Sequence, residues 1–246
     1  MTLRHHEIAE TDHRILNPFS EAKLRLLGEL AGVQRGTRIL DLACGKGEML
    51  CRFAEWFGAG GVGVDLSHAF LAAARARASE LGVADRIAFV QGDAAQHRPE
   101  PGGFDLAACI GAEWIGGGLV GTLALLRPAV RSGGLILVGT PYWLDEPPPE
   151  AVASLAPPPN EFPSLAEIGA RLAAAGFELL EMVLANPDDW DRYEGTQWMT
   201  IERWLTANPD DPDRDAMIRF RDDDRTRYLR WGRRHLGWGV FVVRGR

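Results

Sequence analysis

The sequence predicts an α/β fold built on a parallel sheet, and three observations predict it. Short β-rich runs alternate with helical patterns along most of the chain. Three of those runs end at or beside an acid, at Asp41, Asp65 and Asp93. A turn of small residues, Ala43-Cys44-Gly45-Lys46-Gly47, joins the first run to a helix. The 246 residues are 46% hydrophobic and 25% charged, enough to bury a substantial core in one soluble domain spanning residues 1–246.

Each element has its own signal. Ser20 to Val33 reads as a helix, with Ser20 as N-cap and Leu24, Leu27 and Leu30 on one face. Thr37 to Leu42 is the first strand and Lys46 to Phe57 the helix after it. Val62 to Asp65 is the second strand. Ser67 to Leu81 is an Ala-rich helix stopped by Gly82. Ile87 to Gln91 and Phe104 to Ile110 are the third and fourth strands. Leu119 to Arg131 is helical, with Pro128 set to kink it. Leu135 to Thr140 is a fully apolar fifth strand. Eight of the fifteen prolines then fall between Pro141 and Pro163, which predicts a stiff loop. Leu165 to Ala175 is a helix, Phe177 to Leu184 a sixth strand and Trp238 to Val243 a last one. Between these two strands, Asn186 to Gly237 is polar, helical and carries four of the eight tryptophans.

Composition narrows the function. No apolar run reaches the roughly 18 residues of a membrane span, and Met1 to Asp12 is polar, unlike a secretory leader. His5 and His6 are expected in a mobile terminus. Cys44, Cys51 and Cys109 are odd in number and lack CxxC spacing, so reduced thiols are expected, with neither disulfides nor a metal site. Together these place the protein in the cytoplasm. A net charge of −7 argues against nucleic acid as a partner. Ten arginines after residue 213 read as a solvated helical face.

The chemistry lies in Asp41-Leu42-Ala43-Cys44-Gly45-Lys46-Gly47-Glu48. A strand ends in an acid, and a glycine turn lets backbone approach a ligand at the start of a helix. A carboxylate here repels a pyrophosphate and suits a cationic ligand. Gly45-Lys46-Gly47-Glu48-Met49-Leu50 has Leu where a dinucleotide fingerprint needs its third glycine, which disfavours an NAD(P)-dependent oxidoreductase. Asp65, 20 residues after Gly45, stands where an acid commonly holds ribose hydroxyls. Asp93 follows the third strand. All three acids project to the carboxyl edge of one sheet.

These motifs resemble the class I S-adenosylmethionine (SAM) dependent methyltransferases, with Ala43 in place of the usual first glycine. The resemblance implies a Rossmann-like, seven-stranded, mostly parallel sheet of order 3-2-1-4-5-7-6, flanked by helices, with strand seven antiparallel and a helical insertion between the last two strands. It implies that Asp41 and the Ala43, Gly45 and Gly47 turn lie at the methionyl part of SAM. Asp65 would hold the ribose, Leu66 would pack beside the adenine, and Asp93 and Ala94 would edge it. Ile110 and Gly111 would pass beneath the cofactor. The runs from His13 to Phe19, Cys109 to Ile115, Trp190 to Glu194 and Gly237 to Phe241 are similar to a bacterial subgroup of small methyltransferases.

Methyl transfer from a sulfonium is an in-line displacement, so the protein mainly aligns the acceptor, excludes water and sometimes takes a proton. Four segments offer acceptor contacts: His13, Asn17 and Phe19; Glu113 and Trp114; Tyr142 and Trp143; and the stretch from Asp188 to Trp198. Glu113, His13 and Asp191 are the candidate catalytic groups. Trp114, Tyr142, Trp143, Trp190 and Tyr193 are the candidate substrate contacts. Trp198 and Trp204 are expected as core anchors of a lid made of residues 1–20 and 186–237. The expected function is methyl transfer from SAM to an oxygen or nitrogen of a soluble small molecule, releasing S-adenosylhomocysteine. No nucleic-acid or membrane partner is expected, and the protein is a monomer or homodimer. The alternative from another class is a module that binds SAM or its product without transferring methyl.

Overall fold

A computed structural model describes residues 2–156 and 162–246. The strands are β1 (Arg38–Leu42), β2 (Gly60–Asp65), β3 (Ile87–Gln91), β4 (Phe104–Ile110), β5 (Val130–Trp143), β6 (Phe177–Leu184) and β7 (Leu236–Gly245). They form one sheet of order β3-β2-β1-β4-β5-β7-β6, in which β7 runs antiparallel to both its neighbours. Order, direction and the insertion between β6 and β7 are as the resemblance implies.

The central strands are apolar because helices cover both faces. Adjacent β1 residues point opposite ways: Ile39 packs with Leu27, Phe53 and Leu137, while Leu40 packs with Leu123, Ile136 and Phe241. The helices that do the covering are closed by side chains at their starts. Ser20 caps the helix Glu21–Leu30 through the N–H of Lys23, and Ser67 caps the helix after β2 through the N–H of Phe70. A capping box between Ser164 and Glu167 opens the helix before β6. In chain order the helices are α1 (Leu3–Ala9), α2 (Glu21–Leu30), α3 (Glu48–Phe57), α4 (His68–Glu80), α5 (Leu119–Leu126), α6 (Pro149–Leu155), α7 (Leu165–Ala174), α8 (Pro187–Ala207) and α9 (Arg214–Arg227).

Four local expectations are corrected. The N-terminus is helical: Thr2 caps α1, and Ile8 and Ala9 are buried against Ile201, Leu205 and Met217 of α8 and α9. His6 packs edge-on against Phe70 in place of a mobile end. Helix α5 stops at Leu126, and Arg127–Ala129 form a short 3₁₀ turn, because Pro128 has no N–H to continue the ladder. Strand β5 spans Val130–Trp143, longer than its apolar centre, because β4 and β7 both pair with it. The proline-rich stretch contains α6, with Pro149 in its first turn. Its Pro157, Pro158 and Pro159 lie outside the described residues.

Candidate active site

β1, β2 and β3 are parallel neighbours, so Asp41 and Asp65 reach the same edge, with Asp93 just past β3. Beyond β1 the chain turns back on itself with positive φ at Ala43 (58°), Gly45 (54°) and Gly47 (65°). Glycine takes this conformation without strain; Ala43 does not. The turn is fixed by its neighbour strand: the Gly45 and Ser67 N–H groups each donate to the Asp65 carboxylate at 2.8 Å. Asp93 accepts from the Ala95 N–H and the Gln96 amide, both at 2.9 Å.

Above this edge opens a cleft of about 1350 Å³. Asp41, Ala43 and Gly45 line its floor, as do Asp65, Leu66, Asp93, Ala94, Ile110 and Gly111. Gly47 is a correction. It does not line the cleft, and a Cβ there would meet Phe89 at 2.6 Å and Ala74 at 3.0 Å. Its role is the turn and the close seating of α3. That seat is locked by an ion pair beneath the floor, where Arg77 donates two 2.9 Å hydrogen bonds to the buried Glu48 carboxylate.

Asp41 is 4% exposed. Burial, and then the charge of Asp65, pushes its carboxyl well above the usual range, and no hydrogen bond opposes them. Such a group is stabilised by a positive charge. Glu113 opens the 3₁₀ turn after β4, half-buried in the cleft wall, with its carbonyl held by the Thr122 hydroxyl at 2.6 Å. Burial raises its carboxyl too, opposed by bonds from its own N–H and from Thr140.

The roof is assembled from distant parts of the chain. Lys46 Nζ, from the turn itself, donates to the carbonyls of Glu10, Thr11 and His13 at 2.7–2.8 Å. Asn17 Nδ2 donates to the Ile110 carbonyl at 3.2 Å, and Gly111 leaves room for it, since a Cβ there would lie 2.0 Å from Asn17 Oδ1. Glu10 is fully buried and accepts from the Tyr193 hydroxyl (2.7 Å) and the Gln197 amide (2.8 Å) of α8. Burial raises its carboxyl, but the His13 ring at 2.9 Å and these donors outweigh it and hold the group below its usual value.

Four more expectations change here. His13 faces Glu10 through Nδ1 and the Tyr193 carbonyl through Nε2 at 3.1 Å, and it does not line the cleft. Its Nε2 contact ties the roof to α8, and the ring lies behind the cleft wall instead of facing an acceptor. Asp191 accepts from the Tyr228 hydroxyl at 2.6 Å and from Arg233 at 2.9 Å, away from the cleft. It ties the insertion together. Tyr142 is buried against Gly237, where a Cβ would come within 2.4 Å of its ring. Trp143 packs against Phe162, with ring centroids 5.4 Å apart and the planes tilted by 54°. Neither lines the cleft; Pro141 and Phe162 do. Trp114 (70% exposed), Trp190 and Tyr193 do border it. Trp198 and Trp204 sit inside the insertion, the first on Asp224 and Tyr228, the second against α1's apolar cluster.

Sequence reasoning missed Glu10, Tyr228 and the pair Glu194 and Asp224. Glu194 and Asp224 face each other across α8 and α9 within the cleft wall. Burial and the neighbouring Asp224 push Glu194 up to about 10. No spacing rule joins residues 30 apart on separate helices.

A sheet of this order, with acids on its carboxyl edge below a roofed cleft, defines a methyltransferase fold. Comparison with known proteins agrees. Residues 39–134 match the methyltransferase domain family. The chain is 43% identical to YjhP of Escherichia coli (strain K12), an uncharacterised protein, over 96% of each. It superposes on a SAM-dependent methyltransferase from Geobacter sulfurreducens in complex with S-adenosyl-L-homocysteine with a TM-score of 0.95. The identity is 45%, over 100% of this chain and 99% of that one. A similar enzyme from Thiobacillus denitrificans, also with S-adenosyl-L-homocysteine, gives 0.94 at 43%, over 100% and 99%. The chain belongs to the SAM-dependent methyltransferases, and SAM is its cofactor. Among the described residues no helix is long and apolar enough to cross a membrane.

Proposed function

We propose that the protein transfers a methyl group from SAM to an oxygen or nitrogen of a small molecule held between the sheet edge and a lid of residues 1–20 and 186–237. The carrying observation is Asp41, a buried carboxyl on the cleft floor with no hydrogen bond of its own, beside a turn that brings backbone close. That site fits a cationic cofactor. SAM supplies a methyl already activated by the sulfonium.

The chain's residues then divide the work. Asp41, with Ala43 and Gly45, takes the methionyl end. Asp65 holds the ribose hydroxyls, since each of its oxygens keeps an acceptor site beyond the backbone bond it already makes. Leu66, Asp93 and Ala94 surround the adenine, and Ile110 and Gly111 lie under it. Glu113 accepts the acceptor's proton; its raised pKa brings it toward the operating pH. Trp114, Trp190 and Tyr193 wall the acceptor, and the roof keeps water out. A roofed site and a net charge of −7 favour a small molecule over a polymer. Free thiols at all three cysteines suit the cytoplasm.

Calorimetry with S-adenosylhomocysteine and with NAD, then turnover of labelled SAM with amines, phenols and carboxylic acids, tests this reading. S-adenosylhomocysteine binds and NAD does not. Glu113→Gln lowers turnover by about 10²–10⁴-fold while S-adenosylhomocysteine affinity stays near wild type. Loss of both together would make Glu113 a binding residue. Silence across the whole panel would favour a module that binds without transferring.

A further inference from the structure

Two polar atoms in the cleft wall, on the side formed by α8 and α9, have no partner. Glu194 is 8% exposed and its Oε2 receives no hydrogen bond; the indole Nε1 of Trp190, one turn earlier on α8, makes none either. Both residues border the cleft. The nearby Asp224 accepts from the Trp198 indole at 3.2 Å and from Arg227 at 3.3 Å, and its carboxyl is also hydrogen-bonded to that of Glu194, so the two carboxyls face the cleft as a pair. An orphan acceptor and an orphan donor in one buried wall carry a cost that an occupant of matching chemistry removes.

The occupant's character follows from the surroundings. The Trp190 and Tyr228 rings stack with centroids 6.2 Å apart and an interplanar angle of 27°, and both border the cleft. Such faces attract cations. Glu113, Glu194 and Asp224 bring three carboxyls to this cleft, and Arg227 is engaged by Asp224. Burial has pushed Glu194 toward its neutral form, a state that an adjacent ammonium reverses.

We infer that Glu194, with Trp190 and Tyr228, forms an anchoring subsite for an acceptor that carries a protonated amino group, with an oxygen beside it to receive the Trp190 indole N–H. This rests on the methyltransferase reading above and deepens it: the subsite selects an amine-bearing acceptor and holds it by that amine.

The test uses full-length protein saturated with S-adenosylhomocysteine. It is titrated with ethanolamine and phenylethanolamine, and with phenylethanediol and mandelate as neutral and anionic counterparts. An amine binds roughly tenfold or more tightly than the diol, the size of a charged hydrogen bond. Glu194→Gln removes that advantage while S-adenosylhomocysteine affinity is unchanged, and Trp190→Phe, which keeps the ring and loses the N–H, weakens phenylethanolamine several-fold. Thermal melts of both variants establish that they fold. Equal or better binding of the diol or mandelate overturns the inference, as does undiminished amine affinity in Glu194→Gln. So does the absence of amine binding by protein that binds S-adenosylhomocysteine. Protein that fails to bind S-adenosylhomocysteine overturns the reading beneath it and this one with it.

Discussion

The two walls of the cleft are built in different ways. The floor is backbone: short turns at the ends of β1, β2 and β3, pinned by acids a few residues away or on the next strand. The roof is side chains, joined across the length of the chain, as in Tyr193 to Glu10 and Thr200 to Asp12. The floor is held at fixed geometry by the sheet, whereas the roof depends on a few polar pairs.

The largest expected effect comes from breaking the floor's support. Glu48→Ala takes both 2.9 Å hydrogen bonds from the buried Arg77 and leaves it only the exposed Glu80 as partner, at a cost of about 3 kcal/mol in urea unfolding. The roof is weaker and sensitive to acid. Glu10→Gln costs about 1–3 kcal/mol at neutral pH. Because the folded pKa of Glu10 lies below its usual 4.5, its ionised form adds stability above that value and loses it as pH falls through the lower folded value. The gap between variant and wild type therefore narrows below about pH 4.5 in unfolding curves measured across that range. Smallest is Ala43→Gly, which exchanges left-handed strain of roughly 1–2 kcal/mol for added chain entropy. Unfolding should show a gain of about 0.5 kcal/mol.

The same contrast governs what could be read beforehand. The floor was legible because its residues are contiguous: an acid, a small-residue turn and a helix form one short run, and Asp65 lies a fixed distance on. Gly47 alone among those floor residues lies off the cleft, because a glycine required by packing and one required by a ligand look alike in sequence. The roof's pairings were not legible, although Trp190 and Tyr193 were expected beside the cleft and border it. Glu10 and Tyr193 are separated by 183 residues, and Glu194 meets Asp224 only after two helices have packed. Tyr142 and Trp143 misled because aromatics following a strand serve a core as readily as a pocket. His13 misled because its ordinary chemistry suits proton transfer, while its neighbours use it as a tie.

Lys46 makes the first residues of this chain part of the floor's support. One ammonium in the glycine turn grips three carbonyls between Glu10 and His13. Trimming the chain to Arg14, or acetylating that amine, frees the glycine turn from the roof without touching the acids of the floor. Purification handles belong at the other terminus.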